Sequence, residues 1–249
     1  MPHIIYEDNH LLIAEKPQNI PAQADSSGDA DFLGMLKDYL KETYHKPGNV
    51  YLGLVHRLDR PTGGVMVFAK TSKAAGRLSE QLRTHALHRI YLAVTDGQTP
   101  SSGTLCDYLL KYERSNQSRV VPSSCPGAKK AVLHYVRLDS SGTRSLIAVR
   151  LETGRSHQIR VQMAEAGFPL VHDVKYNPHT TTGPLALWSS VLTLTHPTTR
   201  ETHVFLCPPP EKEPWTEFAS SYYKEDALLS ADRQLQIDTK RPDAIMNSF

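Results

Sequence analysis

The sequence predicts an α+β protein with a mixed, largely antiparallel sheet and flanking helices. Short runs rich in Val, Ile, Leu and Tyr, which are typical of strands, recur along the chain and are separated by turn residues. Between them, residues 31–43 and 71–84 carry apolar side chains at helical spacing. A chain of 249 residues is long enough to bury a substantial core.

The N-terminal part is predicted to form four strands and two helices. The strands cover residues 3–6, 10–15, 50–58 and 65–69, and the helices cover residues 31–43 and 71–84. Asp8-Asn9 is a natural turn between the first two strands. Thr71 and Ser72 are N-cap candidates for the second helix, which is expected to end by Thr84.

The C-terminal part is predicted to contain further strands at residues 89–94, 131–138, 145–151, 185–194 and 201–206. A helix near residues 159–166 and another near 214–223 are also expected. Residues 98–130 are interpreted as a long connection with short strands, where substrate-specific contacts would lie. We expect one catalytic domain, residues 1–225, followed by a polar, loosely attached tail, residues 226–249.

Composition indicates an ordinary soluble globular protein, with 39% apolar and 22% charged residues. A net charge of +2 is too small to indicate a nucleic-acid partner by itself. Cys106, Cys125 and Cys207 are widely spaced, which predicts neither a zinc site nor a disulfide framework and fits a reducing compartment. No signal peptide and no membrane-spanning run is recognised, so we expect a cytoplasmic protein without membrane contact.

The stretch Val55 to Gly64 places Asp59 at the end of an apolar run and beside two arginines, Arg57 and Arg60. The following Pro61 and two glycines force the chain to turn. Loops held between rigid elements are common places for catalytic groups. On local sequence alone, however, an aspartate before such a turn is most simply a turn former or the partner of a structural ion pair.

Residues 56–70, H-R-L-D-R-P-T-G-G-V-M-V-F-A-K, resemble the catalytic motif of the RluA-like family of pseudouridine synthases, in which Gly63 is usually Ser. Three further stretches resemble family motifs in the same order along the chain. They are E-K-P-Q-N at 15–19, R-I-Y-L-A-V-T-D-G at 89–97, and T-G-R-S-H-Q-I-R at 153–160 continued by G-F-P-L-V-H-D at 167–173. Asn19, His172 and Trp188 also depart from the family pattern.

The resemblance implies the pseudouridine synthase fold with a central active-site cleft. It also implies an isomerase that converts specific uridines in stem-loops of ribosomal or transfer RNA to pseudouridine, with no cofactor and no metal. The resemblance begins at the start of the chain, so we expect no separate N-terminal RNA-binding domain. We expect the enzyme to be a monomer.

The resemblance also assigns roles to individual residues. Asp59 would be the attacking carboxylate, and Arg160 would pair with it and lower its pKa. Tyr91 would stack on the flipped base and help to move the proton at C5. Arg57 would fill the gap left by the flipped base. The RNA-binding candidates are Arg57, His56, Arg60, Arg155 and His157, although a structural ion pair is the favoured interpretation of Arg155.

Two other functions remain open from the residues. The first is a non-catalytic RNA-binding or RNA-folding protein that keeps the fold. The second is a glycoside hydrolase with Asp59 as nucleophile, for which Glu152 or Asp173 would have to act as the acid. The basic stretch of residues 73–89 is equally open, because it is either a solvated helix face or a contact to phosphates.

Overall fold

A computed structural model describes residues 1–239, which form two compact units. The first unit contains residues 1–89 and 189–207, and the second contains residues 90–188 and 208–239. Both units combine antiparallel strands with helices, as the sequence predicts. The expected single catalytic domain, residues 1–225, stays a prediction.

The elements follow one another along the chain with these bounds. They are β1 His3–Glu7, β2 Leu11–Lys16, α1 Phe32–Thr43, β3 Gly53–Leu54, β4 Gly63–Ala69, α2 Ser72–Arg83, β5 His88–Asp96, β6 Ser102–Tyr112, β7 Gln117–Val120, β8 Lys129–Ser141, β9 Arg144–Leu151, α3 Gln158–Glu165, β10 Leu187–Thr195, β11 Thr202–Leu206 and α4 Glu225–Thr239. Two short 3-10 turns, Trp215–Glu217 and Ser220–Tyr223, precede α4.

The first unit is built on β2 and β4, which pair antiparallel with Leu12 opposite Phe68. All seven residues of β4 are buried, so this strand is covered on both faces and has the continuous apolar sequence that such burial requires. Strand β1 pairs with β2, and β10 lies beside β4. Helix α1 packs Phe32 against Phe68 with ring centroids 5.8 Å apart. The result is a rigid support for the segment between β3 and β4.

Side-chain caps fix the beginnings of the first two helices. The Asp31 carboxylate accepts a hydrogen bond from the Gly34 N–H at 3.0 Å, and the Thr71 hydroxyl accepts one from the Ala74 N–H at 3.2 Å. Such caps satisfy backbone donors that the first helical turn leaves unpaired. The predicted helix beginnings are therefore confirmed.

The second unit contains a five-stranded antiparallel sheet in the order β5-β9-β8-β6-β7. Helix α3 packs Val161 against Leu109 of β6 and Ala131 of β8. Helix α4 packs on β8 and β9. Strands β8 and β9 form the hairpin that the turn residues 139–142 predict.

Three expectations are corrected by the structure. The apolar run 50–58 forms only the two-residue strand β3, because its apolar Leu52 and Leu58 are buried outside any regular ladder. Residues 98–130 were expected to be a long connection with short strands, but they include the eleven-residue strand β6. Residues 214–223 form two 3-10 turns instead of a helix.

The segment from residue 226 onward also differs from expectation. Residues 225–239 form α4, and its Leu228, Ala231 and Leu235 are buried, so this part of the expected tail is attached to the second unit. The spacing of these three side chains places them on one helix face. Residues 240–249 of the expected tail lie outside the described residues.

Candidate active site

Asp59 lies in the first unit, on a half-buried turn between β3 and β4. The Thr62 N–H donates a hydrogen bond of 3.0 Å to the Asp59 carbonyl, which closes the turn. The preceding Leu58 is buried and anchors the segment on that side. On the other side, Gly64 has a φ of +114°, and an added Cβ would lie 2.3 Å from the Ser189 carbonyl oxygen. Asp59 is therefore held on a fixed turn.

The buried ammonium of Lys16 ties three chain segments together around this turn. Its Nζ donates to the carbonyls of Pro17 at 2.7 Å, Ile20 at 2.6 Å and Arg60 at 3.1 Å. Burial lowers the pKa of Lys16 from 10.5 to about 7, although the Asp59 charge acts in the opposite direction. The Lys16 side chain therefore holds the backbone next to Asp59 in place.

His56, predicted to bind RNA, is buried inside the first unit. The Val67 N–H donates to its Nε2 at 3.2 Å, and Arg89 Nη1 lies 3.0 Å from its Nδ1. Burial, assisted by the positive charge of Arg89, lowers the pKa of His56 well below 6.5. A neutral, buried imidazole hydrogen-bonded to β4 indicates a structural role.

The two arginines on either side of Asp59 differ in their surroundings. The Arg57 side chain is exposed. The Arg60 guanidinium instead binds the loop before α1, donating to Asp29 at 2.6 Å and to Asp25 at 3.1 Å. The Ser27 hydroxyl accepts from the same guanidinium at 2.6 Å. Arg57 therefore has the better geometry for contacting a ligand.

In the second unit, Arg160 on α3 is 3% exposed and forms a two-point ion pair with Asp173. Its Nε donates to one carboxylate oxygen at 2.8 Å and its Nη2 to the other at 2.7 Å. The backbone N–H groups of Lys175 and Tyr176 also donate to Asp173, at 3.0 and 3.3 Å. This carboxylate fixes the direction of the Arg160 guanidinium.

Tyr176 contacts both Arg160 and His157, the N-cap residue of α3. Its ring centroid lies 5.2 Å from the guanidinium carbon of Arg160, and its hydroxyl lies 2.8 Å from Nδ1 of His157. The Ser118 N–H of β7 donates to the same hydroxyl at 2.8 Å. His157 is 8% exposed and has a left-handed φ of +56° at the N-cap of α3. A structural role therefore fits His157 better than the predicted RNA contact.

Tyr91 and Arg155 complete the predicted set. Tyr91 lies in the middle of β5, opposite Val149, and is 4% exposed. The Nε of Arg155 donates to the Lys130 carbonyl at 2.9 Å, which supports a structural role for this arginine. Its side chain is nevertheless exposed to solvent. Asp59 thus belongs to the first unit, and Tyr91 and Arg160 belong to the second.

The sequence matches the model of the family described as RNA pseudouridylate synthase over residues 10–165. The chain belongs to this family. It is 36% identical to the ribosomal large subunit pseudouridine synthase D of Pseudomonas aeruginosa over 192 residues, covering 77% of this chain and 58% of that protein. An uncharacterized RNA pseudouridine synthase of Bacillus subtilis is also 36% identical, over 175 residues that cover 70% of this chain and 57% of that protein.

The pseudouridine synthase fold is also found among solved structures. Human RNA pseudouridylate synthase domain containing 4 superposes with a TM-score of 0.71 at 24% identity, covering 84% of this chain and 89% of that one. Human RNA pseudouridylate synthase domain containing 1 gives the same TM-score at 21% identity, covering 94% and 95%. At this level of identity the likeness concerns the fold. The chain spans somewhat more than half of the curated pseudouridine synthases it matches.

Two departures from the family pattern keep the backbone shape that glycine usually supplies. Asn19 has a φ of +64° and His172 a φ of +61°, both in the left-handed region. His172 also places its Nδ1 3.1 Å from the Pro184 carbonyl oxygen. The substitution of glycine by His172 therefore leaves the turn before Asp173 in place.

Sequence reasoning underestimated Asp173 and Tyr176. The sequence suggests Asp173 only as the acid of a glycoside hydrolase, but both of its carboxylate oxygens accept hydrogen bonds from Arg160. Glu152, the other acid considered, has its carboxylate 2.7 Å from Nε2 of His134. The signal that could have found Asp173 is its place in the fourth matched stretch, thirteen residues after Arg160.

Over residues 1–239, no helix is long and apolar enough to cross a bilayer. Within the same range, no three His, Cys, Asp or Glu side chains come together in a way that could hold a metal ion.

Proposed function

We propose that this chain isomerises specific uridines in RNA to pseudouridine, with Asp59 as the attacking carboxylate. One observation carries the proposal: the family match covers residues 10–165, a range that includes Asp59, Tyr91 and Arg160. The curated relatives named as pseudouridine synthases extend beyond the segment they share with this chain. The activity is therefore inferred from the shared catalytic segment.

The reaction requires no net change of atoms or electrons. The carboxylate attacks the nucleoside while the bond from N1 to C1′ breaks, and the freed base turns within the site. A bond from C5 to C1′ then forms, the C5 proton leaves, N1 gains a proton, and the carboxylate is released unchanged. A carboxylate on a turn fixed by Lys16 and Gly64 supports this role, because attack requires a nucleophile held in position.

The other two catalytic roles rest on the family positions and on local geometry. We assign Arg160 as the catalytic arginine by its position in the matched T-G-R-S-H-Q-I-R stretch, and the ion pair with Asp173 fixes the direction of its guanidinium. We assign Tyr91 to stacking against the flipped base, for which aromatic side chains are well suited. Arg57, exposed two residues before Asp59, is the RNA contact that its surroundings support best.

The proposed substrate is ribosomal RNA of the large subunit. Several relatives at about the same identity are named for pseudouridine synthesis in that RNA. We also propose that the protein acts as a monomer in the cytoplasm. Its free cysteines, Cys106, Cys125 and Cys207, fit a reducing compartment.

Tritium release tests this function. RNA labelled with tritium at uridine C5 is prepared from cells lacking the gene, separated into large-subunit, small-subunit and transfer RNA, and incubated with the protein. We expect release from the large-subunit fraction and pseudouridine in the digested product. Free uracil would indicate hydrolysis, and bound RNA without release from any fraction would indicate a binding protein; either result would overturn the proposal.

A further inference from the structure

One face of the sheet in the second unit is covered by α4 over β8 and β9. Arg150 of β9 lies opposite His134 of β8 and forms an ion pair of 3.4 Å with Asp232 of α4. Because side chains alternate between faces, His134 and Lys130 point to this same face, and Lys130 lies opposite Tyr108 of β6. The face that α4 packs against therefore continues onto β6 and β7.

Over β6 and β7 this face carries aromatic and basic side chains that are accessible to solvent. Tyr112 is 41% exposed, Arg119 and Lys130 are exposed, and Tyr108 is partly exposed. The guanidinium carbon of Arg119 lies 5.2 Å from the centroid of the Tyr112 ring. We call Tyr108, Tyr112, Arg119 and Lys130 the basic platform. The solvent face of an antiparallel sheet is normally polar, and the exposed Tyr112 and partly exposed Tyr108 on this face are accessible to a ligand.

The net charge of residues 98–130 indicates that such a ligand would be negatively charged. Residues 98–130 contain five Lys or Arg and two Asp or Glu, a net charge of +3, whereas the whole chain carries only +2. A further guanidinium, that of Arg155, is attached through its Nε to the Lys130 carbonyl at 2.9 Å. Among the charged strand residues of this segment, Arg119 and Lys130 are the ones that the strand pairing places on the face of Tyr108 and Tyr112.

We propose that the basic platform binds the RNA substrate, with Arg119 and Lys130 on phosphates and Tyr112 stacked on an unpaired base. The inference rests on the proposed function, which supplies RNA as the ligand. Arginine and lysine neutralise phosphates, and tyrosine rings stack on bases without regard to sequence. The platform would therefore add affinity for RNA at residues that none of the catalytic motifs includes.

The first test measures binding of an unmodified large-subunit ribosomal RNA transcript at several salt concentrations. For Arg119→Gln with Lys130→Gln we expect at least a tenfold loss of affinity at low salt, and a slope of log K against log salt smaller by about 1.5 to 2. For Tyr112→Ala we expect about a tenfold loss with an unchanged slope. Lys224→Gln, an exposed lysine before α4, is the matched control and should bind like wild type.

The second test uses Cys106, which is exposed on the same face as Tyr108. Alkylation of Cys106, read by mass spectrometry of its peptide, should be fast in the free protein and slow when the transcript is bound. Unchanged affinity and slope in the double variant would overturn the proposal. Slow alkylation in the free protein would also overturn it, because the face would then be covered by the chain itself.

RNA binding by the basic platform and isomerase activity can be tested independently of each other. Tritium release by wild type together with normal binding by the double variant would reject the platform and keep the isomerase. Weaker binding by the double variant together with no tritium release from any RNA would keep the platform and reject the isomerase.

Discussion

The buried guanidinium of Arg160 is bound at two points by a single carboxylate, that of Asp173, and both side chains are almost completely removed from solvent. Breaking a buried pair by removing one charge typically costs about 3–5 kcal/mol, because the other charge is left uncompensated. The pair also sets the direction of the arginine that the proposed mechanism requires.

Asp173→Asn should therefore destabilise the protein by about 3–5 kcal/mol and reduce the rate of tritium release. RNA affinity should stay near the wild-type value, since Asp173 is 1% exposed. Urea unfolding and single-turnover release measure the two effects. Asp107→Asn is the control and should cost much less, because the partly exposed Asp107 carboxylate accepts one hydrogen bond from Gln162 and forms no buried ion pair. Equal behaviour of the two variants would contradict the importance of the Arg160 pair.

Lys16 should make stability depend on pH above neutrality. In the folded protein burial lowers its pKa to about 7, while in the unfolded chain the lysine stays protonated up to about pH 10.5. Between these values the unfolded chain binds more protons, so the free energy of unfolding should rise with pH, by at most about 1.4 kcal/mol per unit.

The comparison variant is Lys16→Met, in which this rise should disappear. The same variant leaves the carbonyls of Pro17, Ile20 and Arg60 without their donor, so it should be less stable near pH 7. If the free energy of unfolding changes with pH in the same way for both proteins between pH 7 and 10, the lowered pKa of Lys16 is wrong.

His56 should act on stability and leave RNA binding unchanged. Its pKa in the folded protein lies well below 6.5, so below that pH the unfolded chain takes up a proton that the folded protein does not. The free energy of unfolding should consequently fall as the pH drops below 6.5, and less steeply in His56→Gln. RNA affinity of His56→Gln should equal that of wild type, because the imidazole is buried. Weaker RNA binding without loss of stability would restore the RNA-contact prediction.

Arg60 should become available to RNA when its two acidic partners are neutralised. Hydrogen bonds from Ser27, together with the Arg60 charge, lower the pKa of Asp25 to about 2, so this partner is ionised at neutral pH. Asp25→Asn with Asp29→Asn should raise RNA affinity several-fold at low salt. Adding Arg60→Gln should abolish that gain. If the gain persists, it arises from the lost acidic charges and not from Arg60.

Gly64→Ala should prevent or strongly impair folding. The backbone has a positive φ there, and a Cβ would lie 2.3 Å from a carbonyl oxygen and 2.6 Å from the amide nitrogen of Ser189. Strain and overlap together predict a loss of about 3 kcal/mol or more. Gly76→Ala, on exposed α2 with open space around it, should instead be neutral or stabilising by up to about 1 kcal/mol. Similar thermal midpoints for the two variants would contradict this account.

The sequence predicts best where a local pattern determines the structure. Thr71 is predicted as an N-cap of the second helix, and its hydroxyl accepts a hydrogen bond from the Ala74 N–H. The sequence does not predict β6 at its full length, because only Leu109 of its eleven residues is buried and its sequence has little apolar alternation. Arg160 and Asp173 are thirteen residues apart in the sequence. Their ion pair depends on the path of the chain after α3, which the sequence spacing alone does not predict. The burial of His56 and its contacts with Val67 and Arg89 are tertiary features that the motif around Asp59 does not reveal.

The most direct test of the central claim is single-turnover tritium release by wild type and Asp59→Asn, with RNA binding measured on the same samples. The substitution keeps the size of the side chain and removes the carboxylate that is proposed to attack the nucleoside. We expect Asp59→Asn to bind the RNA with wild-type affinity and to release no tritium above background. Release at the wild-type rate by Asp59→Asn would contradict the assignment of Asp59 as the attacking group.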